Sequence, residues 1–211
     1  LLRSLLPRGV TPPPCAFNPA RSAPSTRGHW REALELLDEM RLDDAAAPPD
    51  VVSFSTVVAA CQKGGAWQPA MHLLREMNDT AALDVSAPAP NAFTYTAALT
   101  ALCEAGRWEE ALRTYDAMPS SIERTEAVLQ SAMKAAALGG QWERAVALLR
   151  DLPSDGAAGP PRAAPYNLAI RACAEAGQAS SALSAFRLMK LRGVRRSLLE
   201  YNGVLGALNA A

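Results

Sequence analysis

The sequence predicts an all-α fold, a right-handed solenoid of stacked helix–turn–helix repeats, and three observations carry that expectation. First, a motif Gly-x-Trp-x-x-Ala recurs, with its glycines at Gly28, Gly65, Gly106, Gly140 and Gly177, spaced 37, 41, 34 and 37 residues apart. The last copy lacks the Trp; the other four hold Trp30, Trp67, Trp108 and Trp142, all the tryptophans of the chain. Second, two apolar stripes at helical spacing flank each glycine. Third, the segments between copies are rich in Ala, Pro, Ser and Asp, the chemistry of turns and linkers. Self-similarity at a period of about 20–50 residues marks a stacked array rather than a single globular core.

The first helix of each unit is set by the upstream stripe. Phe17, Phe54, Tyr95, Leu129 and Tyr166 stand eleven residues before the glycines, and Arg21, Val58, Leu99, Met133 and Ile170 follow four residues later. Next comes the turn, where Gly accepts the left-handed backbone that ends many helices. The second helix carries Ala33, Ala70, Ala111, Ala145 and Ala182, then Leu34, Met71, Leu112, Val146 and Leu183. Its stripe closes on Leu37, Leu74, Tyr115, Leu149 and Phe186, with Met40, Met77, Met118, Leu152 and Met189 one turn further. These positions fall on one face of a 3.6-residue helix. The recurring Ala predicts close helix approach, which a larger side chain would prevent. Loops are expected at Leu42–Pro49, Asn78–Pro90, Pro119–Thr125 and Pro153–Pro165, their variable length explaining the uneven period.

The unit openings resemble those of pentatricopeptide (PPR) repeats. Ser53-Phe54-Ser55, Thr94-Tyr95-Thr96, Pro165-Tyr166-Asn167 and Glu200-Tyr201-Asn202 are similar to that family's Thr-Tyr-Asn opening. Pro49-Asp50 and Pro90-Asn91 resemble its closing Pro-Asp, and Cys103-Glu104-Ala105-Gly106-Arg107-Trp108-Glu109-Glu110-Ala111-Leu112 resembles its central stretch. Met189-Lys190-Leu191-Arg192-Gly193-Val194 looks like its terminal stretch, and Gly139-Gly140-Gln141-Trp142 is similar to algal or protist forms. The register then divides the chain into an extension at 1–13, a degenerate repeat at 14–50, repeats at 51–91, 92–125, 126–162 and 163–197, and the first helix of a truncated repeat at 198–211. This reads as a fragment of about five repeats. Arg21 on a stripe and Pro24 inside the first helix mark the first repeat as damaged.

Composition narrows the functions. No apolar run reaches the roughly 18 residues of a membrane helix, so no membrane insertion is expected. Cys15, Cys61, Cys103 and Cys173 form no Cys-x-x-Cys pair and read as packing thiols, while His29 and His72 lack companions at ligand spacing. No Ser-His-Asp set, phosphate loop or carboxylate cluster is present, nor the Asp-rich nuclease domain of some PPR proteins. The expectation is a non-enzyme without metal or cofactor. Arg3, Arg8, Arg21 and Arg27 precede the first acid at Glu32, as in organellar leaders, so a nuclear-encoded protein of mitochondrion or plastid is expected.

The resemblance implies single-stranded RNA as partner, one base per repeat, on the concave face. The fifth and last residues of a repeat would read the base edge and the second would pack on its face. Carried over, the pairs are Asn18 with Asp50, Ser55 with Asn91, Thr96 with Thr125, Gln130 with Arg162, and Asn167 with Ser197. The resemblance implies uracil for the first, adenine for the second and cytosine for the last; the middle two match no familiar pair. Val52 and Phe93 would hold bases, and Lys63 would meet phosphate. Against RNA stands the charge: 21 basic and 21 acidic residues give a formal net charge of zero, where nucleic-acid binders usually show a basic stripe. The alternative partner is protein, with the array serving as scaffold in a large organellar assembly such as a ribosome or membrane supercomplex.

Overall fold

The computed structural model of the protein describes residues 29–42, 48–84, 86–152 and 162–210. Cys15, Phe17, Asn18, Arg21, Pro24 and Gly28 therefore lie outside the described residues, as do Arg3, Arg8 and Arg27. Among those described, every regular element is helical: α1 (Trp30–Leu42), α2 (Val51–Lys63), α3 (Trp67–Leu83), α4 (Ala92–Glu104), α5 (Trp108–Asp116), α6 (Glu126–Leu138), α7 (Trp142–Arg150), α8 (Ala164–Glu175), α9 (Ala179–Leu191) and α10 (Leu198–Ala210). The four tryptophans hold equivalent places, each the first residue of a second helix.

One turn geometry joins the paired helices. Gly65, Gly106, Gly140 and Gly177 have φ between 66° and 71°, the left-handed region that a Cβ disfavours. The next residue's N–H then reaches back five residues: Ala66 to Cys61, Arg107 to Leu102, Gln141 to Ala136 and Gln178 to Cys173, at 2.8–2.9 Å. That is the Schellman arrangement, which satisfies carbonyls left open at a helix end. Gly193 repeats it after α9, with the Val194 N–H on the Met189 carbonyl.

The chain divides into two compact units, one ending at Ala101 and the other starting at Leu102, so the division falls inside α4. In the first unit α2 packs against α1 and α3. Its core holds Leu37, Phe54, Val58, Leu74, Met77, Tyr95 and Leu99. The Tyr95 hydroxyl donates to Asn78 Oδ1 at 3.0 Å, tying α4 to α3. In the second unit α6 packs on α5, α7 and α8, and α8 on α7, α9 and α10. Leu129, Met133, Leu149, Ile170 and Met189 are fully buried there. Side chains of that size stabilise by about 1.5–3 kcal/mol each when removed from water.

Two loop boundaries differ from expectation. Helix α3 continues past Asn78 to Leu83. Asn78 Nδ2 donates to the Leu74 carbonyl and Thr80 Oγ1 to that of Glu76, so both polar residues fit the helix instead of ending it. Pro165 lies in the first turn of α8, where its missing N–H leaves no intrahelical bond unmade.

Candidate nucleic-acid interface

Of the expected base-reading residues, Asp50, Asn91, Thr125 and Ser197 precede first helices, and all but Thr125 also make side-chain bonds that hold the helix start. Asp50 is the N-cap of α2; its Oδ1 accepts from the Ser53 N–H at 2.7 Å and from the Ser53 hydroxyl at 2.8 Å. Asn91 does the same before α4, its Oδ1 accepting from the Thr94 N–H and hydroxyl, both at 3.0 Å. Before α10, Ser197 and Glu200 exchange roles: the Ser197 N–H and hydroxyl donate to Glu200 Oε2 at 2.5 and 2.6 Å. Such caps satisfy backbone donors that the helix itself cannot. Capping engages the oxygen of Asn91 and leaves its Nδ2 donors for another partner.

The fifth residues sit one turn deeper. Ser55 is only 6% exposed, and its hydroxyl donates to the Val51 carbonyl at 2.6 Å, leaving lone pairs but no proton for a base. Thr96, half-buried, donates in the same way to the Ala92 carbonyl at 2.7 Å. Asn167 and Ser197 are brought together through Glu200, 2% exposed, whose carboxylate takes bonds from both. Asn167 Oδ1 is buried without a partner. The partner expected of Asp50, Asn18, lies outside the described residues.

The second positions have another character. Val52 is 51% exposed and Phe93 58% exposed, each on the first turn of its helix and outside the core. Leu199, second in its unit by the same register, is 64% exposed and joins them. Its register from Leu198 was the signal that could have found it. Lys63 is exposed at the last turn of α2. It lies about 12 Å along the helix axis from Ser55, at 1.5 Å per residue, so it serves a different part of any strand.

Electrostatics favours capping by charge. Burial alone would raise the Asp50 carboxyl, but hydrogen bonds from Ser53 outweigh it and hold the group below its usual value. Glu200 is likewise lowered: burial pushes up, while bonds from Ser197 and Asn167 prevail. A group with a depressed folded pKa stabilises the fold above its unfolded value, and that contribution is lost as pH falls through the folded one. Acidification below about pH 4 should therefore loosen the starts of α2 and α10. Asp50→Asn and Glu200→Gln should flatten this acid limb in pH-dependent thermal melts, whereas Asp50→Ala should cost about 1 kcal/mol near neutral pH.

The thiols have no such role. Cys61, Cys103 and Cys173 are buried, and burial pushes each up to about 11, so they stay protonated and pack as small apolar groups. Among the described residues no cluster of His, Cys, Asp or Glu is placed to hold a metal. No described helix is long and apolar enough to cross a membrane.

Comparisons with known proteins agree with the all-helical repeat fold. The sequence profile of the PPR repeat matches residues 25–44, 93–121 and 164–194. A search of curated proteins gave no match. The chain is similar to the crystal structure of the pentatricopeptide repeat protein PPR10 in complex with an 18-nt psaJ RNA element, at 26% identity and a TM-score of 0.59, covering 86% of this chain and 26% of that one. It is also similar to PPR10 from maize, at 29% identity and a TM-score of 0.58, covering 95% of this chain and 27% of that one. It thus spans about a quarter of the solved chains it matches. Helix pairs, turn glycines and profile matches coincide, and the chain carries pentatricopeptide repeats in three of its stretches.

Proposed function

We propose that this chain is an RNA-binding repeat protein, without enzymatic activity, that takes single-stranded RNA along the N-terminal turns of its first helices and acts in processing, stabilising or translating an organellar transcript. The observation that carries the reading is the recurrence of exposed apolar residues at one register position, Val52, Phe93 and Leu199, with the Nδ2 donors of Asn91 beside Phe93. An exposed aromatic or aliphatic side chain there gives a base face a surface to stack on. The likeness to a PPR protein solved with RNA supports the same partner. The acid-poor leader supports an organellar destination.

Asn91 gives the sharpest test. Asn91→Asp keeps an oxygen to cap α4 but exchanges the Nδ2 donors for an acceptor. Titrations against randomised short RNAs should show a changed base preference at one position with modest loss of affinity. Lys63→Glu should weaken all sequences alike and reduce the salt slope by about one. A chain without sequence preference that ignores both substitutions would contradict the reading. A scaffold role draws on a different observation: Leu198, Tyr201, Leu205 and Leu208 of α10 are exposed, a surface that protein would cover.

A further inference from the structure

The zero net charge conceals a local excess. Between Glu175 and Glu200 stand Arg187, Lys190, Arg192, Arg195 and Arg196 with no Asp or Glu among them. All five lie on α9 or the following loop, within the second unit. Four are exposed and Arg192 is half-buried. None takes part in an ion pair among the described residues. The neighbouring carboxylates are occupied: Glu175 faces Arg171 at 3.5 Å, and Glu200 is engaged by Ser197.

The loop that carries these charges is pinned at each end. Arg192 donates from Nη1 to the Leu152 carbonyl at 3.0 Å and from Nη2 to that of Arg150 at 3.3 Å, fixing it to the end of α7. There Arg150 adds an exposed guanidinium, next in the chain to the exposed Asp151. Val194 is buried below. The Arg196 guanidinium lies 5.1 Å from the ring centre of Phe186 and 5.9 Å from that of Tyr201, and the two rings meet edge to face at 5.0 Å. Phe186 and Lys190 are four apart on α9, and Arg187 and Lys190 three apart, so the helix charges lie next to this stack.

We propose that this basic spur, formed by the C-terminal half of α9 and the α9–α10 loop, binds the phosphodiester backbone of single-stranded RNA. It rests on the RNA-binding reading and adds a phosphate contact beside the base-reading start of α10. Four of the five charges are arginines, whose planar fork pairs with two phosphate oxygens. The Arg196 guanidinium sits within reach of both the Phe186 and Tyr201 rings, and Tyr201, partly exposed, offers a surface to a base. A loop already fixed loses little freedom when a phosphate arrives.

The test is fluorescence anisotropy of a labelled single-stranded RNA of randomised sequence with the full chain across a salt series. Arg187→Gln, Lys190→Gln and Arg195→Gln are combined; Arg192 and Arg196 are left in place because they hold the loop. The log–log salt slope should fall by about 2, at about 0.7 per phosphate contact on a single strand. Lysine at Arg187 and Arg195 should restore most of it, with melting temperatures unchanged. Arg113→Gln, an exposed arginine beside Glu109, should leave the slope alone. RNA binding whose slope ignores the triple variant, or responds equally to Arg113→Gln, overturns the spur while the RNA-binding reading stands. No RNA binding by the unaltered chain overturns both. Binding instead to phosphatidylserine vesicles, abolished in the triple variant, assigns the spur to a membrane surface and overturns the proposal.

Discussion

Replacing Ala182 with Leu should lower the unfolding free energy by about 1–3 kcal/mol, the usual cost of extra carbon atoms in a filled core. Ala182 of α9 meets Cys173 of α8 and Ala207 of α10 in a fully buried cluster, with Trp142, Val146 and Ala174 packed against it. Three helices converge on side chains of one or two heavy atoms, so the three carbons that Leu adds must push the helices apart. Ala111 and Ala145 occupy the same register and are as buried, and Leu at either should cost a similar amount. Ala147→Leu supplies the control, since Ala147 is exposed on α7 and the change there should stay within about 0.5 kcal/mol. Urea melts of the four variants decide it. Equal midpoints for Ala182→Leu and the unaltered chain would contradict the close three-helix contact.

Gly139→Leu should destabilise the second unit by about 1–3 kcal/mol as well, but through a single partner. Gly139 ends α6 with an ordinary backbone, φ −86°, so no left-handed strain is involved. A Cβ there would instead collide with the indole of Trp108, the first residue of α5 in the preceding repeat. Gly64 stands in the same relation to Trp30. Trp108 is only half-buried, so it can swing outward at the cost of its packing. Most of the penalty should then vanish when Trp108 is already Ala. A double-mutant cycle should return a coupling of about 1–2 kcal/mol; additive effects would show that the ring and the glycine do not share the space.

The recurring features were legible because recurrence itself is a signal. Gly65, Gly106, Gly140 and Gly177 declared the turn, the tryptophans declared where second helices start, and the buried alanines declared close packing. What each Trp packs against was not declared by spacing. For Trp30 and Trp108 the contact lies one repeat further on, and its trace in the sequence is the doublets Gly64-Gly65 and Gly139-Gly140. Capping was legible but passed over: Asp50 with Ser53, Asn91 with Thr94, and Ser197 with Glu200 all stand three apart, the spacing of a reciprocal cap. The inward donation by the Ser55 and Thr96 hydroxyls is a choice of rotamer, on which sequence spacing is silent. Helix α3 outran its expected end because Asn78 and Thr80 bond to the helix they sit in.

The account's central claim is that RNA lies across the first turns of the first helices. Ultraviolet cross-linking of bound single-stranded RNA, with the attached residues located by mass spectrometry, tests it most directly. The account predicts cross-links on Phe93 and on the peptides that hold the starts of α2 and α4, lost when Phe93 and Val52 are replaced by Asp. RNA bound without a single cross-link at the starts of α2, α4 and α10, or no RNA bound at low salt, would contradict it.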